Sequence, residues 1–113
     1  MAFHDLLVVD DEESMRHVLL LLLQQKGYAV RAVASGEEAL RELEQRPYDV
    51  VITDVRMPKM SGIDLVRNGR ALAPETLFFV MSAYGSEELA IEALKAGAAD
   101  YVSKPFKQDE LAI

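Results

Sequence analysis

The feature that most constrains this chain is a strict alternation of short apolar runs with stretches of helical periodicity, uninterrupted by any repeat, low-complexity tract or linker. Asp5-Leu6-Leu7-Val8-Val9 reads as a buried strand, and Tyr28 to Val33 alternates more, as an edge strand does. Asp49 to Thr53 and Leu77 to Met81 are β-rich and apolar on both faces, the mark of central parallel strands; Asp100 to Ser103 is a short fifth. Between them, Met15, Val18, Leu19 and Leu22 recur at helical spacing, and Lys26-Gly27 supplies a stop. Ser35-Gly36-Glu37-Glu38 has the capping-box pattern, followed by the apolar stripe Ala39, Leu40 and Leu43. Ser61-Gly62-Ile63-Asp64 opens a third helix through about Leu72, weakened by Gly69. The fourth runs from Ser86 to Ala96, with Leu89, Ile91 and Leu94 apolar and Gly97 as terminator. This βαβαβαβαβ order predicts a doubly wound α/β domain: one parallel sheet, helices on both faces, right-handed crossovers. A fifth helix is expected after Phe106, but the seven residues Lys107 to Ile113 are too few to cover the sheet beside the last strand. The expectation is a single domain over residues 1–113 whose last helix is truncated.

Composition removes several functional classes. The 113 residues carry a formal net charge of −7, so this domain is not expected to hold a phosphate backbone, and direct nucleic-acid binding is excluded. The longest apolar run, Val18 to Leu23, is six residues, against the roughly 20 that span a bilayer. Met1-Ala2-Phe3-His4-Asp5 has no basic n-region of a secretory signal. With no cysteine, disulfides, thiolate catalysis and zinc–thiolate sites are absent, which fits a cytoplasmic protein. His4 and His17 lack metal-ligand spacing.

In open α/β sheets ligands bind beyond the carboxyl ends of the strands, where strand order reverses. The residues that follow each run are therefore the informative ones. They are Asp10, Asp11, Glu12 and Glu13 after the first strand, Asp54 after the third, Ser82 and Ala83 after the fourth, and Lys104-Pro105 after the fifth. Singly, each has a plainer reading: a solvated turn for the aspartates, a backbone hydrogen bond for Ser82, a solvated lysine, half-buried packing for Tyr101. Jointly they bring three carboxylates, a hydroxyl and an ammonium to one rim. Crowded carboxylates either take up a proton or bind a cation, and carboxylates with waters and a phosphate oxygen suit Mg2+. Lys104 and Ser82 could bind phosphoryl oxygens, and a carboxylate can act as a nucleophile forming an acyl phosphate. The set suits phosphoryl transfer, which needs mainly positioning and charge neutralisation.

From Leu6 to about Leu111 the chain resembles the receiver domain of two-component response regulators. The resemblance rests on Val8-Val9-Asp10-Asp11-Glu12, on Asp54-Val55-Arg56-Met57-Pro58 with Ser61-Gly62, on Ser82-Ala83-Tyr84-Gly85, and on Gly97 to Phe106. It implies the flavodoxin-like strand order 2-1-3-4-5 and makes Asp54 the phosphoacceptor. Mg2+ would be held directly by Asp11 and Asp54, by Asp10 through water, and by the backbone carbonyl of Arg56. Lys104 would pair with the phosphoryl group, Ser82 would swing towards it, Tyr101 would move inward behind Ser82, and Ala83 would keep the entrance small-walled. Position 82 is more often Thr in the family, but Ser retains the hydroxyl. The Lys104-Pro105 bond is typically cis in the family. Asp-Val-Arg-Met-Pro and Ser-Ala-Tyr-Gly-Ser most resemble the NtrC-type transcriptional activators. The implied partners are a sensor histidine kinase, an output domain of the parent protein and a second copy on phosphorylation, with no membrane involved.

Three rivals are tested against the same residues. A phosphatase of the haloacid-dehalogenase-like kind places an Asp two residues after its nucleophile, where this chain has Arg56. A nucleotide- or flavin-binding module offers loop amides to a phosphate, whereas Asp10 to Glu13 would repel one. A pseudo-receiver lacks part of the acidic pair, the acceptor or the lysine, and here all are present. The run Leu19 to Leu23 covers more than one helical stripe, so either local packing or contact with a partner accounts for it.

Overall fold

The computed structural model describes residues 4–82 and 87–103 of the chain. The elements are β1 (Asp5–Val9), α1 (Glu13–Gln25), β2 (Ala29–Val33), α2 (Gly36–Gln45), β3 (Val50–Asp54), α3 (Gly62–Leu72), β4 (Leu77–Ser82), α4 (Glu87–Ala96) and β5 (Asp100–Ser103). All strand pairs are parallel, and the sheet order is β2-β1-β3-β4-β5. β1 therefore lies between β2 and β3, and the direction of winding reverses beside it.

Alternation along each strand feeds two cores. Leu7, Val9, Val51, Phe78 and Val80 point to one face, where Ala39 and Leu43 of α2, Ile63 and Val66 of α3, and Ala93 of α4 cover them. Leu6, Val8, Val50, Ile52 and Met81 point to the other, against Leu19 and Leu23 of α1. Gly69, which weakens α3 in isolation, is needed by this packing. A Cβ there would stand 2.7 Å from the Phe78 ring.

Two helices use part of their sequence pattern: Met15, Leu19 and Leu22 of α1 and Leu89 of α4 pack on the cores, while Val18, Ile91 and Leu94 do not. On α1 the buried leucines are Leu19 and Leu23, while Val18 and Leu21 are 48% and 46% exposed. On α4, Ile91 and Leu94 are each half exposed, and the small Ala93 faces the sheet. Met15 and Leu22, partly buried, pack against the same core as Leu19 and Leu23, so the stripe that α1 lays on the sheet is Met15, Leu19, Leu22 and Leu23.

At the amino ends of the strands, Asp49 clasps two neighbours. Its carboxylate accepts the backbone N–H groups of His4 (2.9 Å) and Asp5 (3.0 Å), and its own N–H donates to the Asp5 carbonyl (2.8 Å). The Asp5 and His4 amides hold the Asp49 carboxyl below its ordinary pKa. Nearby, the buried Tyr48 hydroxyl donates to Glu42 at 2.7 Å, and the Arg46 guanidinium lies 4.7 Å from its ring centre.

Candidate functional site

The carboxyl ends of β1 and β3 deliver the acidic residues. Asp10 directly follows β1, and its N–H donates to the Val33 carbonyl of β2 at 3.2 Å, prolonging the ladder by one rung. Its Oδ1 accepts the N–H of Glu12 at 2.9 Å, which turns the chain into α1 and places Asp11 at the surface. A guanidinium nitrogen of Arg16, from α1, donates to the Asp10 carbonyl at 2.8 Å. Asp10 is fully buried, Asp54 half-buried and Asp11 exposed.

Asp54 closes β3 and is held by its own backbone. The Thr53 hydroxyl donates to the Asp54 carbonyl (3.0 Å), Val55 N–H to the Met81 carbonyl (3.0 Å), and Gly62 N–H back to the Val55 carbonyl (2.8 Å). The start of α3 thus abuts the Asp54 peptide so closely that a Cβ on Gly62 would overlap the Asp54 carbonyl oxygen. The Ser61 hydroxyl caps α3 by accepting Asp64 N–H at 3.1 Å. In the intervening loop Lys59 takes φ 68°, and Met60 N–H reaches the Pro58 carbonyl at 2.8 Å, a γ-turn rare for a residue with a side chain.

The result is one cluster. A carboxylate oxygen from each of Asp10, Asp11 and Asp54 lies within 4.8 Å of the other two. All three donors are hard anionic oxygens, and two are reachable from outside, which fits a hard divalent cation that keeps part of its water. Three carboxylates at this spacing repel one another, and a divalent cation removes that repulsion.

The other expected residues fall into two groups. Ser82 ends β4, is 1% exposed, and pairs in register with Ser103. Tyr101 of β5 is in register with Val80, packs partly buried against the same core, and so shares a sheet face with Ser82. Arg56 lies exposed in the loop after β3. Ala83, Tyr84 and Lys104, with the Lys104-Pro105 bond, lie outside the described residues. Sequence reading alone did not single out Arg16, Thr53 or the close approach at Gly62. The available signals were a basic residue near a helix start and a hydroxyl inside an otherwise apolar strand.

Comparison with known proteins agrees with this geometry. The family model of the response regulator receiver domain matches residues 6–113. The transcriptional regulatory protein ZraR of Escherichia coli O157:H7 is 45% identical over 107 residues, covering 95% of this chain and 24% of ZraR. The regulatory protein AtoC of Escherichia coli strain K12 is 39% identical over 110 residues, covering 97% of this chain and 24% of AtoC. The chain therefore spans about a quarter of the length of these curated relatives, which are of the NtrC type. A crystal structure of a Burkholderia pseudomallei response regulator, with a phosphorylated aspartic acid, a calcium ion and citrate, superposes with a TM-score of 0.89 at 30% identity. That match covers 95% of this chain and 63% of the other. With the fold, the acidic cluster and these likenesses in agreement, the chain belongs to the response regulator receiver domains.

Proposed function

We propose that this domain is a phosphorylation-driven switch in which Asp54 accepts a phosphoryl group from the phosphohistidine of a sensor histidine kinase. The observation that carries the reading is the meeting of Asp10, Asp11 and Asp54 carboxylates within 4.8 Å at the ends of two adjacent strands. Asp11 and Asp54 would bind Mg2+ directly, Asp10 through water and Arg56 through its carbonyl. Bound there, the cation would neutralise charge on the phosphoryl oxygens. Asp54 supplies the attacking oxygen: its bond to phosphorus forms as the phosphorus–nitrogen bond of the donor breaks. Lys104 is assigned the charge facing the phosphoryl group, Ser82 a hydroxyl donor to it, and Ala83 the small wall that leaves access.

The domain is not a classical enzyme on this reading, because its own side chain is the acceptor. The acyl phosphate is hydrolysable, so slow self-dephosphorylation follows, and Arg56 and Tyr84, two residues beyond Asp54 and Ser82, are assigned the tuning of its rate. The new dianion attracts Ser82 and Lys104, and Tyr101 fills the space behind Ser82. This biases two arrangements of the face formed by α4, β5 and the segment after it. That face would control a transcriptional output of a longer protein, in part through phosphorylation-dependent dimerisation. The site of action is assigned to the cytoplasm; no helix among the described residues is long and apolar enough to cross a membrane.

Acetyl phosphate with Mg2+ should label the chain with one phosphoryl group, and Asp54→Asn should abolish the label. Intact-mass measurement checks both, and labelling that persists in the Asn variant refutes the assignment.

A further inference from the structure

We infer that Arg16 is a positioning residue for the carboxylate cluster: from α1 it braces the turn that carries Asp10 and Asp11. The first observation is a misplaced charge. Arg16 lies one turn inside the start of α1, where the positive end of the helix macrodipole disfavours a cation. The second is where its side chain goes. Instead of extending into solvent, the guanidinium folds back to the Asp10 carbonyl at 2.8 Å, six residues earlier in the chain. A charge-assisted hydrogen bond to a carbonyl is stronger than a neutral one, and the planar guanidinium loses little freedom in making it.

The third observation is the chain of supports. The Asp10 N–H is fixed to β2, its Oδ1 to Glu12 N–H, and its carbonyl to Arg16. The first support belongs to the sheet and the second to the turn itself. Arg16 ties that turn to α1, whose Leu19 and Leu23 are wholly buried on the sheet. The packing of α1 therefore reaches the carboxylates both through its cap residue Glu12 and through the Arg16 side chain. Arg16 also has a competing effect, since its positive charge near the cluster opposes a second cation. The two effects have opposite signs for Mg2+ affinity, and only the charge effect is screened by salt.

The inference rests on the metal reading above, and two measurements on the same chain keep their failures separate. In the metal-free protein, Arg16→Met should speed amide hydrogen exchange at Glu12, whose N–H is held by Asp10 Oδ1, about tenfold while leaving the amides of β1 unchanged. In a Mg2+ titration followed by amide chemical shifts, the same variant should raise Kd about tenfold, as loss of an outer partner of a metal site does. That rise should persist between low and high salt, and Arg16→Lys, which keeps a charged donor, should recover part of both effects. Unchanged exchange in the turn overturns the brace, whatever the metal does. Tighter Mg2+ binding in the Met variant overturns it too, leaving Arg16 as a repelling charge only. Wild-type protein that binds no Mg2+ refutes the metal reading, while exchange still decides the brace. If the Met variant does not fold, the comparison of Arg16→Lys with wild type decides.

Discussion

Gly62 is the residue whose side chain, or lack of one, matters most to Asp54. Any Cβ there overlaps the Asp54 carbonyl oxygen, and neither backbone can yield without moving the loop that carries Arg56. Gly62→Ala should therefore destabilise the fold by about 1–3 kcal/mol and weaken Mg2+ binding, read by urea unfolding and by titration. Lys59 presents the opposite case. Its φ of 68° is strained for a side-chain-bearing residue, so Lys59→Gly should raise stability by about 1 kcal/mol in the same unfolding measurement. The two substitutions fall three residues apart and should have opposite signs. The carboxylates were legible in the sequence because their chemistry is carried by residue type and by position after an apolar run. The need for glycine at 62 was not, because it arises from a contact with a residue eight positions earlier that only the folded loop creates.

At the level of elements, α1 shows where periodicity stops being informative. Five consecutive leucines, Leu19 to Leu23, offer the sheet several possible stripes, and the helix buries Leu19 and Leu23 with Leu22 partly buried beside them. Leu23→Ala should cost about 2–5 kcal/mol, while Leu21→Ala, at a site 46% exposed, should stay within about 0.5 kcal/mol. Equal losses would mean that α1 is rotated from this arrangement. The strands were easier to read, since continuous apolar runs leave no choice of face for a strand covered on both sides. Helix caps were likewise legible: the Ser35 hydroxyl accepts Glu38 N–H at 3.2 Å, and the Glu38 carboxylate accepts the N–H of Ala34, the residue before the cap, at 2.9 Å. α4 was less so, because Ile91 and Leu94 are apolar yet half exposed, while the buried contact is made by Ala93.

On the scale of the whole molecule, the two ends of the sheet divide the labour. The carboxyl ends gather like charges, while the amino ends are fastened by Asp49 and the Tyr48 group. The folded pKa of Asp49 lies below its ordinary value of 3.8, so its contribution is complete above that value. It is lost as pH falls through the lower, folded pKa. Asp49→Asn should flatten the acid limb of a stability–pH profile measured by urea midpoints, lowering stability near neutrality without changing its slope there. Tyr48 should be the reverse. Its burial, with the Glu42 hydrogen bond, pushes it up to about 12, so Tyr48→Phe should remove phenolate absorbance that appears near pH 12. Beyond these tests, the insertion of β1 between β2 and β3 has a consequence for how the chain matures. Asp10 and Asp54 meet only through a pairing of distant strands, so no local fragment can assemble the cluster. A cation that binds the cluster binds only folded chains and must raise their melting temperature by mass action. On the proposed function, signalling competence is thereby tied to completed folding, because a half-made or misfolded chain has no assembled cluster to offer.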